Sequence, residues 1–337
     1  MKSLRMAVVG LGYWGPNLAR NISSCNETDL FYLCDSNPAR LKKIGAMYPA
    51  AKLTQSLTEI INDDEVEAVA IATPVDTHFE LARACIERKK HVLLEKPMTR
   101  TVSEAEILIE LAEKHGVVLM VDHTFNYTSG VKKIKEIVSS GALGDILYWD
   151  SVRINLGLFQ HDVNVVWDLA PHDLSIMDYV IDARPVSVQT VGLAHYSDKI
   201  ENIAYMTLRF DRGMIAHFHF NWLAPVKIRT TLIGGSKKMI VYNDMEPSEK
   251  LKVYDKGVDV AASKDGVYKA LVQYRTGDMY APQLENVEAL NVEIEHLADV
   301  VRNKVRPVSG ADSGLRVVRM LEAAQKSIEQ GGKEILL

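Results

Sequence analysis

Met6-Ala7-Val8-Val9-Gly10-Leu11-Gly12-Tyr13-Trp14-Gly15 opens the chain with an apolar, strand-type run and a G-x-G-x-x-G turn. A helical stretch, Asn17 to Ile22, follows. A second apolar run, Leu30 to Cys34, then ends at Asp35. Strand, glycine turn, helix, strand and terminal acid, in that order, form the dinucleotide-binding fingerprint. Gly10 allows the tight turn, Gly12 lets the backbone come against a pyrophosphate, and Gly15 lets helix and strand pack closely. Tyr13 and Trp14 complete the turn, and the helix N-terminus behind it offers free N–H groups to phosphates. Asp35 lies twenty residues beyond Gly15, where a carboxylate accepts hydrogen bonds from an adenosine ribose. The same charge repels a 2′-phosphate and so favours NAD over NADP. Arg40 is the one nearby cation that would serve NADP, and it reads equally as a solvated helix residue.

Strands and helices alternate from this start to about residue 122. Apolar strands at 66–72, 91–94 and 117–121 are separated by helical stretches. Ser103 with Glu106 reads as a capping box for the helix that ends near Lys114. Near-continuous apolar strands between helices mean a parallel sheet covered on both faces. The pattern then changes. A helix over 131–139, a strand over 146–154 and a helix over 169–180 lead into long alternating runs at 186–194, 203–210, 214–222, 228–233 and 239–242. Two helices near 287–302 and 313–328 close the chain. The fold class is α/β: a doubly wound Rossmann domain over 1–122, then an α+β domain over 123–337 with a large, mostly antiparallel open sheet.

Composition narrows the function classes. The 337 residues carry a net charge of −5 with no long basic run, which argues against nucleic acid. No apolar stretch approaches the ~18 residues of a membrane span. The first five residues run directly into a strand, leaving no room for a signal peptide. The three cysteines, Cys25, Cys34 and Cys85, lack ligand spacing and read as buried thiols in a reducing compartment. The expectation is a cytoplasmic protein with a small-molecule substrate.

Glu95-Lys96-Pro97 falls at the carboxyl end of the fifth strand, the edge that faces the ligand crevice of an open parallel sheet. A lysine there sets an ammonium beside the cofactor. Thr73-Pro74 ends the fourth strand, and His78 follows closely enough to meet the cofactor or cap the next helix. Asp168 and His172 are four residues apart and share a face if the segment is helical. Pro171 is tolerable in a first turn, which sets Asp168 at the helix start. A neutral imidazole accepts a proton as a hydroxyl becomes a carbonyl, and a carboxylate orients it. Asp173 reads as a helix-surface charge. His217-x-His219 puts two imidazoles on one strand face, but no cysteine or carboxylate spacing supports a metal site. Lys227 and Arg229 project two cations from one strand, either toward an anionic substrate or into solvent.

Four features together resemble the glucose–fructose oxidoreductase/inositol dehydrogenase/MocA (Gfo/Idh/MocA) family across essentially the whole chain: the glycine turn, Thr73-Pro74 with His78, Glu95-Lys96-Pro97, and Asp168 before His172. The resemblance implies an NAD-dependent sugar dehydrogenase. It implies that Lys96 polarises the reacting hydroxyl, that His172 is the acid/base with Asp168 beside it, and that the C-terminal sheet joins a homodimer or homotetramer. The family's glycine-rich approach to this segment is replaced by Val165-Val166-Trp167. Phe159-Gln160-His161-Asp162 through His172, Lys227-Ile228-Arg229 and Gly235-Ser236-Lys237-Lys238 resemble a nucleotide-sugar subgroup like the UDP-N-acetylglucosaminuronate 3-dehydrogenases, which oxidise a sugar C3 hydroxyl. Asn155 and Gln160 join Lys96, Asp168, His172, Lys227 and Arg229 as substrate-binding candidates. A free-sugar or inositol dehydrogenase, or a non-catalytic NAD-binding sensor, are the alternatives.

Overall fold

The computed structural model describes residues 3–157, 163–196, 200–211, 213–261 and 271–337. In chain order the elements are β1 Leu4–Val9, α1 Gly15–Ser24, β2 Thr28–Cys34, α2 Pro38–Gly45, β3 Lys52–Thr54, α3 Leu57–Asn62, β4 Ala68–Ile71, α4 His78–Glu87, β5 His91–Glu95, α5 Val102–His115 and β6 Leu119–Asp122. They continue as α6 Ser129–Ser139, β7 Ile146–Leu156, α7 Val165–Val180, β8 Pro185–Leu193, β9 Ile203–Phe210, β10 Ile215–Asn221, β11 Leu223–Gly235, β12 Met239–Asn243, β13 Leu251–Ala261 and β14 Leu271–Tyr280. The chain ends with α8 Ala289–Asn303, α9 Ala311–Glu329 and β15 Ile335–Leu336. Two units result: Met1–Thr128 with Val287–Glu322, and Ser129–Asn286 with Ala323–Leu337.

The first unit is a six-stranded parallel sheet in the order β3-β2-β1-β4-β5-β6. Its central strands are apolar throughout because both faces are covered. Leu4, Met6 and Val8 of β1 face Leu18 and Ile22 of α1 and Leu290, Ile294 and Leu297 of α8. Ala7 and Val9 face the opposite layer, with Ala82 and Ile86 of α4, Leu108 of α5 and Val318 of α9. Each fully buried Leu or Ile contributes about 1.5–3 kcal/mol. This burial is why residues 287–322 return to the first unit, and it corrects the expected continuous division at residue 122. The capping box of α5 also differs from expectation. Thr101 is extended, its hydroxyl accepts from the Glu104 N–H, and the Glu104 carboxylate accepts from the Thr101 N–H. Ser103 and Glu106 therefore lie inside the helix.

The second unit carries a nine-stranded sheet in the order β14-β13-β12-β11-β7-β10-β9-β8-β15, antiparallel except where β7 and β10 run parallel. Alternate residues of β9 and β10 (Ala204, Met206, Leu208; Ala216, Phe218, Phe220) are buried. The intervening positions form an open face with Tyr205 and Ile215 exposed. There Tyr205 stacks on His219, ring centroids 4.5 Å apart and 15° from parallel. Strands β13 and β14 escape the sequence reading because charges such as Lys252, Asp255 and Lys256 interrupt their alternation.

Candidate active site

In the first unit, the carboxyl edge of the sheet gathers most of the proposed cofactor residues. Gly10 has φ +93°, and a Cβ there would lie 2.6 Å from the Ala72 carbonyl oxygen, so the turn is pressed against the end of β4 and the adjoining Thr73. A Cβ at Gly15 would stand 1.9 Å from the Gly10 carbonyl oxygen. Helix α1 can approach the turn only without a side chain there. At Gly12 no protein atom lies within 4 Å of a Cβ position. Packing does not demand glycine at that point, and the open side suits a pyrophosphate lying against the backbone. The turn thus fits a dinucleotide. Tyr13 stands 89% exposed beside it.

Asp35 is buried at the end of β2, and both of its carboxylate oxygens are used. One accepts from the Leu11 N–H inside the glycine turn at 2.7 Å, the other from the Asn37 N–H at 2.7 Å. A carboxylate has about four lone-pair sites, so two remain for a ribose diol. The same acid therefore shapes the turn. Arg40 is exposed on α2, which Asn37 caps through its side chain.

Lys96 is half-buried just past β5, and Glu95, the last residue of β5, pairs in register with Asp122 of β6. His78 is placed differently from the expectation of direct cofactor contact. It is 1% exposed, with its ring nitrogens 2.9 Å from the Thr73 carbonyl oxygen and 3.0 Å from the Pro97 carbonyl oxygen, and the neutral ring donates to one of the two. Its influence on a bound ligand is indirect, through the two turns it braces. Burial pushes its pKa down despite those carbonyl partners.

The second unit holds the other candidates. Helix α7 begins at Val165 because the Asn164 side chain accepts from the Val166 and Trp167 N–H groups, each at 3.1 Å. This start is earlier than expected. It moves Asp168 into the helix and Pro171 out of the first turn. Asp168 Oδ2 accepts from Trp222 Nε1 at 3.1 Å. Trp222, 1% exposed, also lies beside Gly157, whose N–H donates to the Trp222 carbonyl at 3.2 Å. A Cβ at Gly157 would stand 3.0 Å from Asn155 Nδ2. Asn155, Gly157, Trp222 and Asp168 therefore form one cluster at the end of β7, with half-buried His172 one turn along α7 from Asp168. Gln160 lies outside the described residues.

Asp173 is the clear correction. It is not a surface charge but is 4% exposed, paired with buried Arg153 of β7 through Nε–Oδ2 at 2.7 Å and Nη2–Oδ1 at 3.1 Å. Ser151 Oγ adds a third bond at 3.2 Å. Arg229 is engaged with Asp244 at 3.2 Å, whereas Lys227 is exposed. Among the described residues no group of three or more His, Cys, Asp or Glu side chains is placed to hold a metal ion. No helix among them is long and apolar enough to cross a membrane.

Two family models match the chain. Residues 4–123 match the NAD-binding Rossmann fold of the oxidoreductase family Gfo/Idh/MocA, and residues 131–241 match the Gfo/Idh/MocA C-terminal domain. The chain belongs to the Gfo/Idh/MocA family. It is an NAD-binding oxidoreductase acting on a CH–OH group. The scyllo-inositol 2-dehydrogenase (NADP(+)) IolW of Bacillus subtilis is 26% identical over 97% of this chain and 94% of its own length. The UDP-N-acetylglucosamine 3-dehydrogenase of Acidithiobacillus ferrooxidans is 26% identical over 85% of this chain and 88% of its own. The solved structure of the latter, GnnA, superposes with a TM-score of 0.81 at 23% identity, covering 98% of this chain and 99% of that one.

Sequence reasoning does not single out Trp222 or Arg153. Trp222 carried a signal, a large aromatic just past the apolar run of β10. Arg153 carried none, because an isolated charge in an amphipathic element reads as solvated.

Proposed function

We propose that this protein oxidises a ring hydroxyl of a sugar to a ketone, with C3 of a UDP-linked N-acetyl sugar or uronate as the leading substrate. The observation that carries the reading is Lys96 at the carboxyl end of β5, on the same sheet edge as a glycine turn that fits a dinucleotide. Oxidation removes a hydride from carbon and a proton from oxygen. Bound NAD supplies the hydride acceptor. Lys96 donates a hydrogen bond to the hydroxyl oxygen and stabilises developing negative charge on it. His172 accepts the hydroxyl proton, with Asp168, fixed by Trp222, one helical turn away. Asn155, Gln160 and Lys227 bind the substrate. Lys227 is the better of the two strand cations to meet a diphosphate or uronate, since Arg229 already has Asp244. The relative named as a UDP-N-acetylglucosamine 3-dehydrogenase supports this choice.

The inositol dehydrogenase among the relatives favours a second reading, oxidation of a free polyol. A non-catalytic sensor has no use for both Lys96 and His172. The open face of the nine-stranded sheet, with Val191, Leu193, Tyr205 and Ile215 exposed, fits a second copy of the chain and hence a homodimer or homotetramer. The test is NADH formation on a panel of UDP-N-acetyl sugars, the matching uronates, free sugars and inositols. Turnover confined to the UDP-linked compounds is expected. Turnover of inositols or free sugars alone establishes the second reading, and no turnover on any member removes both.

A further inference from the structure

Asp122 ends β6 and is 2% exposed. Its Oδ2 accepts from Trp14 Nε1 at 2.6 Å, and its Oδ1 accepts from the Thr124 hydroxyl. An indole N–H only donates, so Asp122 is the acceptor of that pair. Two more carboxyl groups neighbour the same side chain: Glu95, its register partner on β5, and Glu293 of α8, whose Oε1 accepts from the Ser309 hydroxyl. Glu293 is completely buried. Glu95 is half-buried as a residue, but its Oε2 is sealed from solvent. Neither Glu95 Oε2 nor Glu293 Oε2 meets a donor. Left ionised, each would be a buried oxygen with nothing to accept from, which costs several kcal/mol. Both are satisfied when they carry a proton and donate it toward Asp122. Burial first, and Asp122 second, push both well above the usual carboxylate range.

We propose that Asp122 is a positioning residue for the cofactor: by accepting from Trp14 and Thr124 while the protonated carboxyls of Glu95 and Glu293 turn toward it, it ties the glycine turn to the end of β6, next to the strand that leads into Lys96. Trp14 lies between Gly12 and Gly15, so its indole sets the turn's height over β6. Glu95 immediately precedes Lys96, so the same carboxylate sets where that side chain starts. The proposal needs only the NAD site of the family, and a wrong substrate assignment would leave it standing.

The test is NADH affinity, read by the cofactor's own fluorescence on the purified full chain, with unfolding of the cofactor-free protein followed separately. Asp122→Asn is nearly isosteric but brings an N–H to a place where every neighbour donates. It should weaken NADH binding about tenfold or more, the scale of lost charge-assisted hydrogen bonds. Trp14→Phe keeps the ring, removes one donor and should weaken binding about threefold or more. The double variant should lose no more than Asp122→Asn alone, because both act through one bond. Glu293→Gln keeps a neutral donor and should bind NADH within about twofold of wild type, whereas Glu293→Ala should not. Folded Asp122→Asn with wild-type affinity, or additive losses in the double variant, would overturn the proposal. If Asp122→Asn does not fold, unchanged affinity in Trp14→Phe overturns it, and weakened affinity in Trp14→Phe and Glu293→Ala with near-wild-type affinity in Glu293→Gln supports it.

Discussion

Asp173→Ala removes one half of the ion pair that pins α7 to β7. Both side chains are 5% exposed, and the carboxylate takes two bonds from Arg153 and one from Ser151. The substitution leaves a guanidinium in a site with almost no water, stripped of the carboxylate that takes two of its bonds. Removing one partner of such a pair costs about 3–5 kcal/mol. At roughly 2–4 °C per kcal/mol for a unit of this size, the second unit should melt about 10 °C lower. The cost comes from the stranded charge rather than from losing attraction as such. Arg153→Met combined with Asp173→Leu should therefore restore stability to within about 1–2 kcal/mol of wild type, or exceed it. Calorimetry and urea unfolding of wild type, the single and the double variant measure this directly. A single variant melting within about 2 °C of wild type refutes the reasoning. A double variant as unstable as the single one refutes it too, since packing rather than charge would then set the cost.

Lys96→Met should abolish turnover yet keep NADH affinity within about tenfold; steady-state rates against fluorescence titration separate the two. His172→Asn should lower the rate of alcohol oxidation by about 10² or more, and a smaller loss would make His172 a packing or binding residue. Asp35→Ala should narrow the preference for NAD over NADP and also loosen the glycine turn, because it strips the acceptor from the Leu11 N–H; calorimetric titration with both cofactors reads the first effect and melting of the cofactor-free protein the second. Two buried groups give opposite pH slopes. His78 folds neutral, so its contribution is complete above the unfolded imidazole pKa of about 6.5 and is lost as pH falls toward its lower folded value; His78→Gln should flatten the acid side of the melting profile. Glu293 keeps its proton when folded but ionises above about pH 4.3 when unfolded, so Glu293→Gln should gain on wild type steadily from pH 5 to pH 8.

The Rossmann unit was legible because its signals are local. Apolar strands, a glycine turn and an acid at the end of β2 are each set by backbone geometry and burial within a few residues. The glycines even divide by cause: Gly10 and Gly15 are demanded by neighbouring protein atoms, Gly12 by open space. The division into units was not legible, because α8 is an ordinary amphipathic helix. Nothing in Leu290, Ile294 and Leu297 says which sheet they cover. The two sequence readings of His78 stay open for a related reason. A histidine after a strand end looks the same whether it faces the crevice or turns inward between two carbonyls.

Helix α7 shows where the remaining information lay. Asp168, His172 and Asp173 fall within six residues, and their roles separate by helical phase. At about 100° per residue, His172 is offset roughly 40° from Asp168, while Asp173 is offset about 140°. One acid therefore shares the histidine's side of the helix and the other faces away. The strand that receives it carries the matching pattern. Trp149, Ser151 and Arg153 alternate along β7 and are all buried, while Asp150, Val152 and Ile154 between them are half-buried. An arginine in phase with a tryptophan is on the covered side of its strand, and a covered arginine requires an acid. The only acid of α7 in the opposite phase to Asp168 near that level is Asp173. The pair follows from the periods of one helix and one strand taken together. A reading of either alone leaves Asp173 looking solvated and Arg153 unexplained.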